Sequence, residues 1–155
     1  MPTPEQHLQE LGITLPKLPA PVGNFVPFVR QGDLVFLSGQ GPILEDGSLA
    51  TGKVGSDVTA DQAYEHSRRV GMVLLSAMRE ATGSLDRIER VVKLLGMVNA
   101  APDFADHPKV INGCSDLFSE VFADRGQHAR SAVGMGSLPG QITVEIEAIV
   151  AVRAE

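Results

Sequence analysis

Runs with strand character outnumber long amphipathic helices by about two to one in this chain, and the second half of one of them, "RIERVVKLLGMVNA", is apolar on both faces. Only two long helices are available to cover them. Thr59 opens the first, with Gln62 completing a capping box. Ala63, Ser67, Val70, Leu74, Ala77, Met78 and Ala81 make its apolar stripe, and Gly83 stops it. The second holds Pro108 in its first turn, buries Val110, Cys114, Leu117, Phe118 and Val121, and ends near "ADRGQ". The strand runs are a hairpin in "FVPFVRQGDLVFLSGQGP", a central strand in "RIERVVKLLGMVNA", and two final strands within "GQHARSAVGMGSLPGQITVEIEAIVAV". That last pair reads as joined by a tight loop at Leu138-Pro139-Gly140. The order β-β-α-β-α-β-β predicts an α+β fold, a mixed β-sheet with two main helices packed on one face. Val26, Val35, Leu37, Val133, Val144 and Ile146 are too apolar to leave the other face bare, so self-association through the sheet is expected.

The remaining segments fit one domain over residues 1–155, with a helix and extended arm at 1–21 and a core at 22–153. In "TPEQHLQELG", Thr3 is the expected N-cap, Pro4 the first helical residue, Gln6 the capping-box partner and Gly12 the stop. A Pro-rich extended stretch follows. "ILEDGSLATGKVGSDV" reads as a polar surface loop. A formal charge of −6, with 13 scattered basic residues, argues against a nucleic-acid footprint. One cysteine, Cys114, allows no internal disulfide and suits a reducing cytoplasm. The N-terminus has no signal-peptide pattern and no run is long enough to span a membrane, so a cytoplasmic protein is expected. His7, His66, His107 and His128 show no metal-ligand spacing, and no metal site is expected.

Two positions carry possible chemistry. Alternation puts Ala129, Ser131, Val133 and Met135 on one strand face, and Arg130, Ala132, Gly134 and Gly136 on the other. Arg130 thus stands among very small residues, with room for a ligand, and a guanidinium suits a planar carboxylate. The alternative is an arginine that simply reaches solvent. On the last strand Glu145 shares a face with Thr143, Glu147 and Ile149. It is either a general acid/base or one of two solvated glutamates. "SGQGP" ends a strand with glycines at points of close backbone approach, and offers a hydroxyl and N–H groups or a plain strand exit. Cys114 lies on an apolar stripe as a small core residue, and Asn112 shares the outward side of its helix with Lys109 and Asp116.

Taken together, "FLSGQGP", "NGCSDLFSEVF", "ARSAVGMGSLP" and "VEIEAIVAV" resemble the blocks of the YjgF/YER057c/UK114 (Rid) family. That family comprises enamine/imine deaminases, also labelled endoribonuclease L-PSP or translation initiation inhibitor. The match runs from about Val22 to Arg153 in order. The resemblance implies a chorismate-mutase-like fold and a homotrimer whose sheets form a central barrel. It also implies a cleft between subunits for a small 2-imino or 2-keto acid, with no cofactor. Arg130 matches the arginine that grips the substrate carboxylate, and Glu145 the glutamate that positions or activates water. Ser38 and Gly39 match the strand-end pair lining the cleft, Asn112 the helix asparagine near it, and Ser131 and Ala132 the residues after the arginine. Phe25 stands where well-known members have a tyrosine, and Ala132 where they have a cysteine.

The expected activity is therefore hydrolytic deamination of reactive enamines and 2-imino acids to 2-keto acids and ammonia. The Phe25 and Ala132 departures leave open a trimer that binds small carboxylates without catalysis. Ribonuclease or translation-inhibitor activity, which the family label suggests, fits poorly with the acidic balance and the lack of a basic-aromatic surface.

Overall fold

In the computed structural model, which describes residues 1–154, the local helix signals act where they stand; Glu155, the last position of the expected domain, lies outside the described residues. Helix α1 spans Pro4–Glu10, with Thr3 and Gln6 closing the capping box, and Gly12 leaves it at φ 69°. Helix α2 spans Ala60–Thr82, closed by the Thr59–Gln62 box and ended by Gly83 in the left-handed region at φ 87°. Helix α3 spans His107–Phe122, with Pro108 in its first turn. Both predicted apolar stripes are buried, apart from Ala81, which is only partly so.

Five strands form one mixed sheet: β1 (Phe28–Gln31), β2 (Leu34–Gln40), β3 (Ile88–Asn99), β4 (Ala129–Met135) and β5 (Val144–Val152), in the order β1-β2-β5-β3-β4. β1 and β2 make the expected hairpin, with Gly32 supplying the positive φ of its turn. β3 and β4 pair parallel, which requires the crossover that α3 provides. β5 runs antiparallel to both β2 and β3, filling the slot that the β2–α2–β3 crossover leaves between them. α2 packs over β2 and β5, and α3 over β3 and β4. This is the expected α+β layer.

Three expectations need correction. The final strands are not a hairpin, because β3 lies between β4 and β5. The turn at Leu138–Gly140 reverses the chain but does not decide which strand is joined next. β5 buries Val144, Ile146, Ala148, Val150 and Val152 and so takes the centre, whereas β4 is largely exposed and takes the edge. Second, Val35, Leu37, Val144 and Ile146 lie under the helices, not on the open face. Val133 is on the open face as expected, and the apolar side chains beside it there are Val29 (52% exposed), Leu34 and Phe36 (42%). Third, the loop after β2 is not wholly superficial. Val54 is fully buried, and Lys53 Nζ donates to Asn99 Oδ1 (2.8 Å) and to the Gly136 carbonyl (2.6 Å). Buried Asn99 returns donors to the Gly52 carbonyl and Gln141 Oε1, so its polar atoms are paired.

The α2–α3 contact depends on glycine. A Cβ on Gly113 would fall onto the Tyr64 carbonyl oxygen, and one on Gly71 would press on Cys114 and Leu117. Similarly, Gly96 on β3 lies under the Ile111 side chain. Gly113→Ala is expected to destabilise the protein by about 3 kcal/mol, because backbone cannot move aside as a flexible side chain can. Urea unfolding of the variant beside wild type measures this loss.

Candidate functional site

β4 carries Arg130, Ala132 and Gly134 along one side of its line, since alternate residues share a face, and His128 lies just before the strand. Register places Arg130 beside Leu94, Ala132 beside Gly96 and Gly134 beside Val98, all facing the helices. Arg130 therefore lies against α3, partly exposed. Its Nη1 donates to Ser115 Oγ at 2.9 Å and its Nη2 to the Pro108 carbonyl at 3.1 Å. Both acceptors are neutral, and Arg130 makes no ion pair among the described residues. Two of the five guanidinium N–H groups are thus engaged, and the rest remain for an anion. The space predicted beside it is partly filled, because a Cβ on Gly134 would meet His107 Nε2 at 2.5 Å.

Asn112 is half-buried on α3. It lies four residues after Pro108 and three before Ser115, and is less exposed than Lys109 and Asp116, its expected companions on one side of the helix. Cys114 is buried, and that burial pushes its thiol well above the usual cysteine range despite the nearby Arg130 charge. A nucleophilic role is incompatible with that environment.

Glu145 stands elsewhere. On β5 it faces the open side of the sheet, opposite Met97, with Glu147 opposite Leu95. Gly39 is what lets it lie there, because a Cβ at that position would come within 2.5 Å of Glu145 Oε2. Burial, and secondarily the Glu147 charge, raise the Glu145 carboxyl above the ordinary glutamate value. Ser38, beside Gly39, donates its hydroxyl proton to the Val26 carbonyl (2.7 Å), which closes the loop carrying Phe25 against β2. Phe25 is half exposed. Ser131 pairs with Leu95 in register and faces the open side, away from Arg130.

The predicted residues thus fall into two groups. Phe25, Ser38, Gly39 and Glu145 gather around the β2–β5 end of the open face, whereas Arg130 and Ala132 lie between edge strand β4 and α3, the helix that carries Asn112; Ser131 joins neither group. Within one chain the sheet separates Arg130 from Glu145. Sequence reasoning missed Ser115, His128 and His107 as neighbours of the guanidinium. Parity offered a signal for His128, which stands two residues before Arg130. No group of three or more His, Cys, Asp or Glu residues placed to hold a metal ion occurs among the described residues. No helix among them is long and apolar enough to cross a membrane.

A family model described as "YjgF/chorismate mutase-like, putative endoribonuclease" matches residues 5–144. Protein TCP17 of Trypanosoma cruzi is 41% identical over 93% of this chain and 91% of its own length. A 2-iminobutanoate/2-iminopropanoate deaminase of Dermatophagoides farinae is 30% identical over 91% of this chain and 95% of its own. Among solved structures, Atu1372 of Agrobacterium tumefaciens, a protein of unknown function, superposes with a TM-score of 0.88 at 42% identity, covering 98% of this chain and 93% of that one.

The Glu145 environment makes a measurable statement. Its folded pKa is raised, so the native state holds this proton more tightly than the unfolded chain. Its contribution to stability is complete below the ordinary glutamate pKa and is lost as pH rises through the folded value. Glu145→Gln is therefore expected to raise Tm at pH 7 relative to wild type, with the gain vanishing in acid. Glu147→Gln is expected to lower the Glu145 titration midpoint, as read by carboxyl-carbon NMR.

Proposed function

The chain belongs to the YjgF/chorismate-mutase-like family, and on that footing we propose that it hydrolyses reactive 2-imino acids to 2-keto acids and ammonia. The observation that carries this reading is the Arg130 guanidinium, pinned by a hydroxyl and a carbonyl with no carboxylate among the described residues to neutralise it. A guanidinium so held offers a planar fork to a substrate carboxylate. The likeness to a relative named as a 2-iminobutanoate/2-iminopropanoate deaminase supplies the substrate class.

The second group completes the chemistry. An iminium carbon is already electrophilic, so the reaction needs orientation and a proton acceptor more than activation. Glu145, with a raised pKa, takes a proton from water as its oxygen bonds to the imine carbon. The carbinolamine nitrogen takes that proton back from Glu145, the hydroxyl gives its proton to the freed carboxylate as the C=O bond forms, and the C–N bond breaks to release ammonia. No organic cofactor or metal enters this scheme.

Because Arg130 and Glu145 lie on opposite sides of one sheet, the working site is assembled from two chains. We place it in a homotrimer whose open sheet faces, bearing Val29, Phe36 and Val133, line a central barrel. Edge strand β4 of one subunit then meets the Phe25–Ser38–Gly39–Glu145 group of the next. A second reading, a trimer that binds small carboxylates without turnover, is favoured by Phe25 and Ala132, which bring no hydroxyl or thiol to the cleft. Calorimetry with 2-keto acids separates the two: binding without imine hydrolysis selects the second.

Imine generated in situ by a serine/threonine dehydratase provides the assay. Arg130→Ala is expected to lose roughly 3–5 kcal/mol of transition-state stabilisation, and unchanged kcat/KM would sink the carboxylate clamp. Shared clefts make a further prediction. Arg130→Ala and Glu145→Gln proteins, each inactive, regain activity in about a quarter of clefts when mixed subunits reassemble at random. A mixture that stays inactive despite shown subunit exchange rules out a site split between chains.

A further inference from the structure

We propose that Ser115 and His128 form a relay that sets the orientation of the Arg130 guanidinium, so that carboxylate capture requires a neutral His128. The relay deepens the proposed function and rests on that reading for its ligand, but its geometry stands independently.

Each hydrogen in the relay is fixed by the group before it. His128 Nδ1 lies 2.6 Å from the Gly126 carbonyl oxygen. A carbonyl only accepts, so Nδ1 carries the proton and the neutral ring's Nε2 is a lone pair. That Nε2 lies 2.9 Å from Ser115 Oγ, and the serine hydroxyl must be the donor. Ser115 Oγ then presents its lone pair to Arg130 Nη1, also at 2.9 Å. Phe118, fully buried in α3, meets the imidazole edge to face at 6.3 Å between centroids and fixes the ring plane. The Pro108 carbonyl holds the other terminal nitrogen of the guanidinium. The fork is thereby aimed by two neutral acceptors, one of them under the control of a titratable ring.

Protonation reverses the order. A charged His128 bears N–H at both nitrogens, so Ser115 Oγ faces two donors and its own proton must turn away. Two cations then share one oxygen. Burial, followed by the Arg130 charge, holds the His128 pKa below the ordinary imidazole value, with the Gly126 carbonyl opposing them. Among the groups around the ring, Arg130, two residues further along the chain, is the cation that acts on it. Arg90 from β3 is engaged by the Gln127 carbonyl, Arg125 from the preceding turn by the Ile88 carbonyl, and Asp124 is exposed. From α3 come the Ser115 hydroxyl and the Phe118 ring.

The test combines NMR with ligand titration, using the full chain and variants shown by thermal unfolding to fold. Nitrogen-15 spectra of wild type should show the Nδ1–H tautomer of His128 and a slowly exchanging Arg130 guanidinium signal. That signal should be lost as pH falls through the His128 titration, and lost at neutral pH in Ser115→Ala. Calorimetry with 2-oxobutanoate should show binding weakened roughly tenfold in Ser115→Ala. The acid-side loss of affinity seen in wild type should be absent in that variant. Ser115→Thr, which keeps the hydroxyl, should restore both. An Arg130 signal unchanged in Ser115→Ala, or the opposite tautomer, overturns the relay whatever the ligand does. If 2-oxobutanoate binds wild type and Arg130→Ala alike, the carboxylate reading fails instead, and the spectra alone decide the relay.

Discussion

Side chains on a β-strand alternate between the faces of its sheet, and here that alternation organises both the core and the chemistry. β5 sends Val144, Ile146, Ala148, Val150 and Val152 under the helices and leaves Glu145 and Glu147 on the open side. β4 turns Arg130, Ala132 and Gly134 toward α3 and leaves Ser131 and Val133 opposite. A slip of one residue in either strand would exchange the two sets, burying a glutamate under α2 or stripping Arg130 of Ser115. The buried row on β5 guards against the first error, and the close seat of His107 over Gly134 guards against the second. The positions of the candidate catalytic groups are therefore by-products of core formation.

Locally encoded features were legible in the sequence. Thr59 and Gln62, three residues apart, close a capping box whatever the rest of the chain does, and Gly83 supplies the left-handed exit from α2. The parity of Arg130 with Ala132 and Gly134 also needed no tertiary information. The pairing of β5 did, because a Pro-Gly turn shows that the chain reverses but not what it reverses against. For the same reason Ser115 escaped notice: its contact with Arg130 exists only once α3 has docked on β4. Val54 looked like part of a polar loop because its neighbours are Gly, Lys and Ser, yet bridges to Val58 and Ala100 bring it inside.

The family resemblance matches positions in the sequence, whereas the structure gives what surrounds them: two neutral acceptors for Arg130, and burial that raises the Glu145 carboxyl above the ordinary glutamate value. Ser115 and His128 came from the hydrogen-bond directions around Arg130, which motif matching does not see.

β5 leaves the ribosome after every other strand, although it occupies the middle of the sheet. Until it arrives, the β1–β2 hairpin and the β3–α3–β4 unit share no strand, and β2 and β3 each hold a bare hydrogen-bonding edge toward an empty slot. Joining them depends on contacts far apart in sequence, which form slowly. During synthesis the nascent chain thus passes through an interval with two adhesive edges and the apolar side of α2 only partly covered. Arrival of the last nine-residue strand ends that interval in one step, making this chain's vulnerability to aggregation a matter of timing.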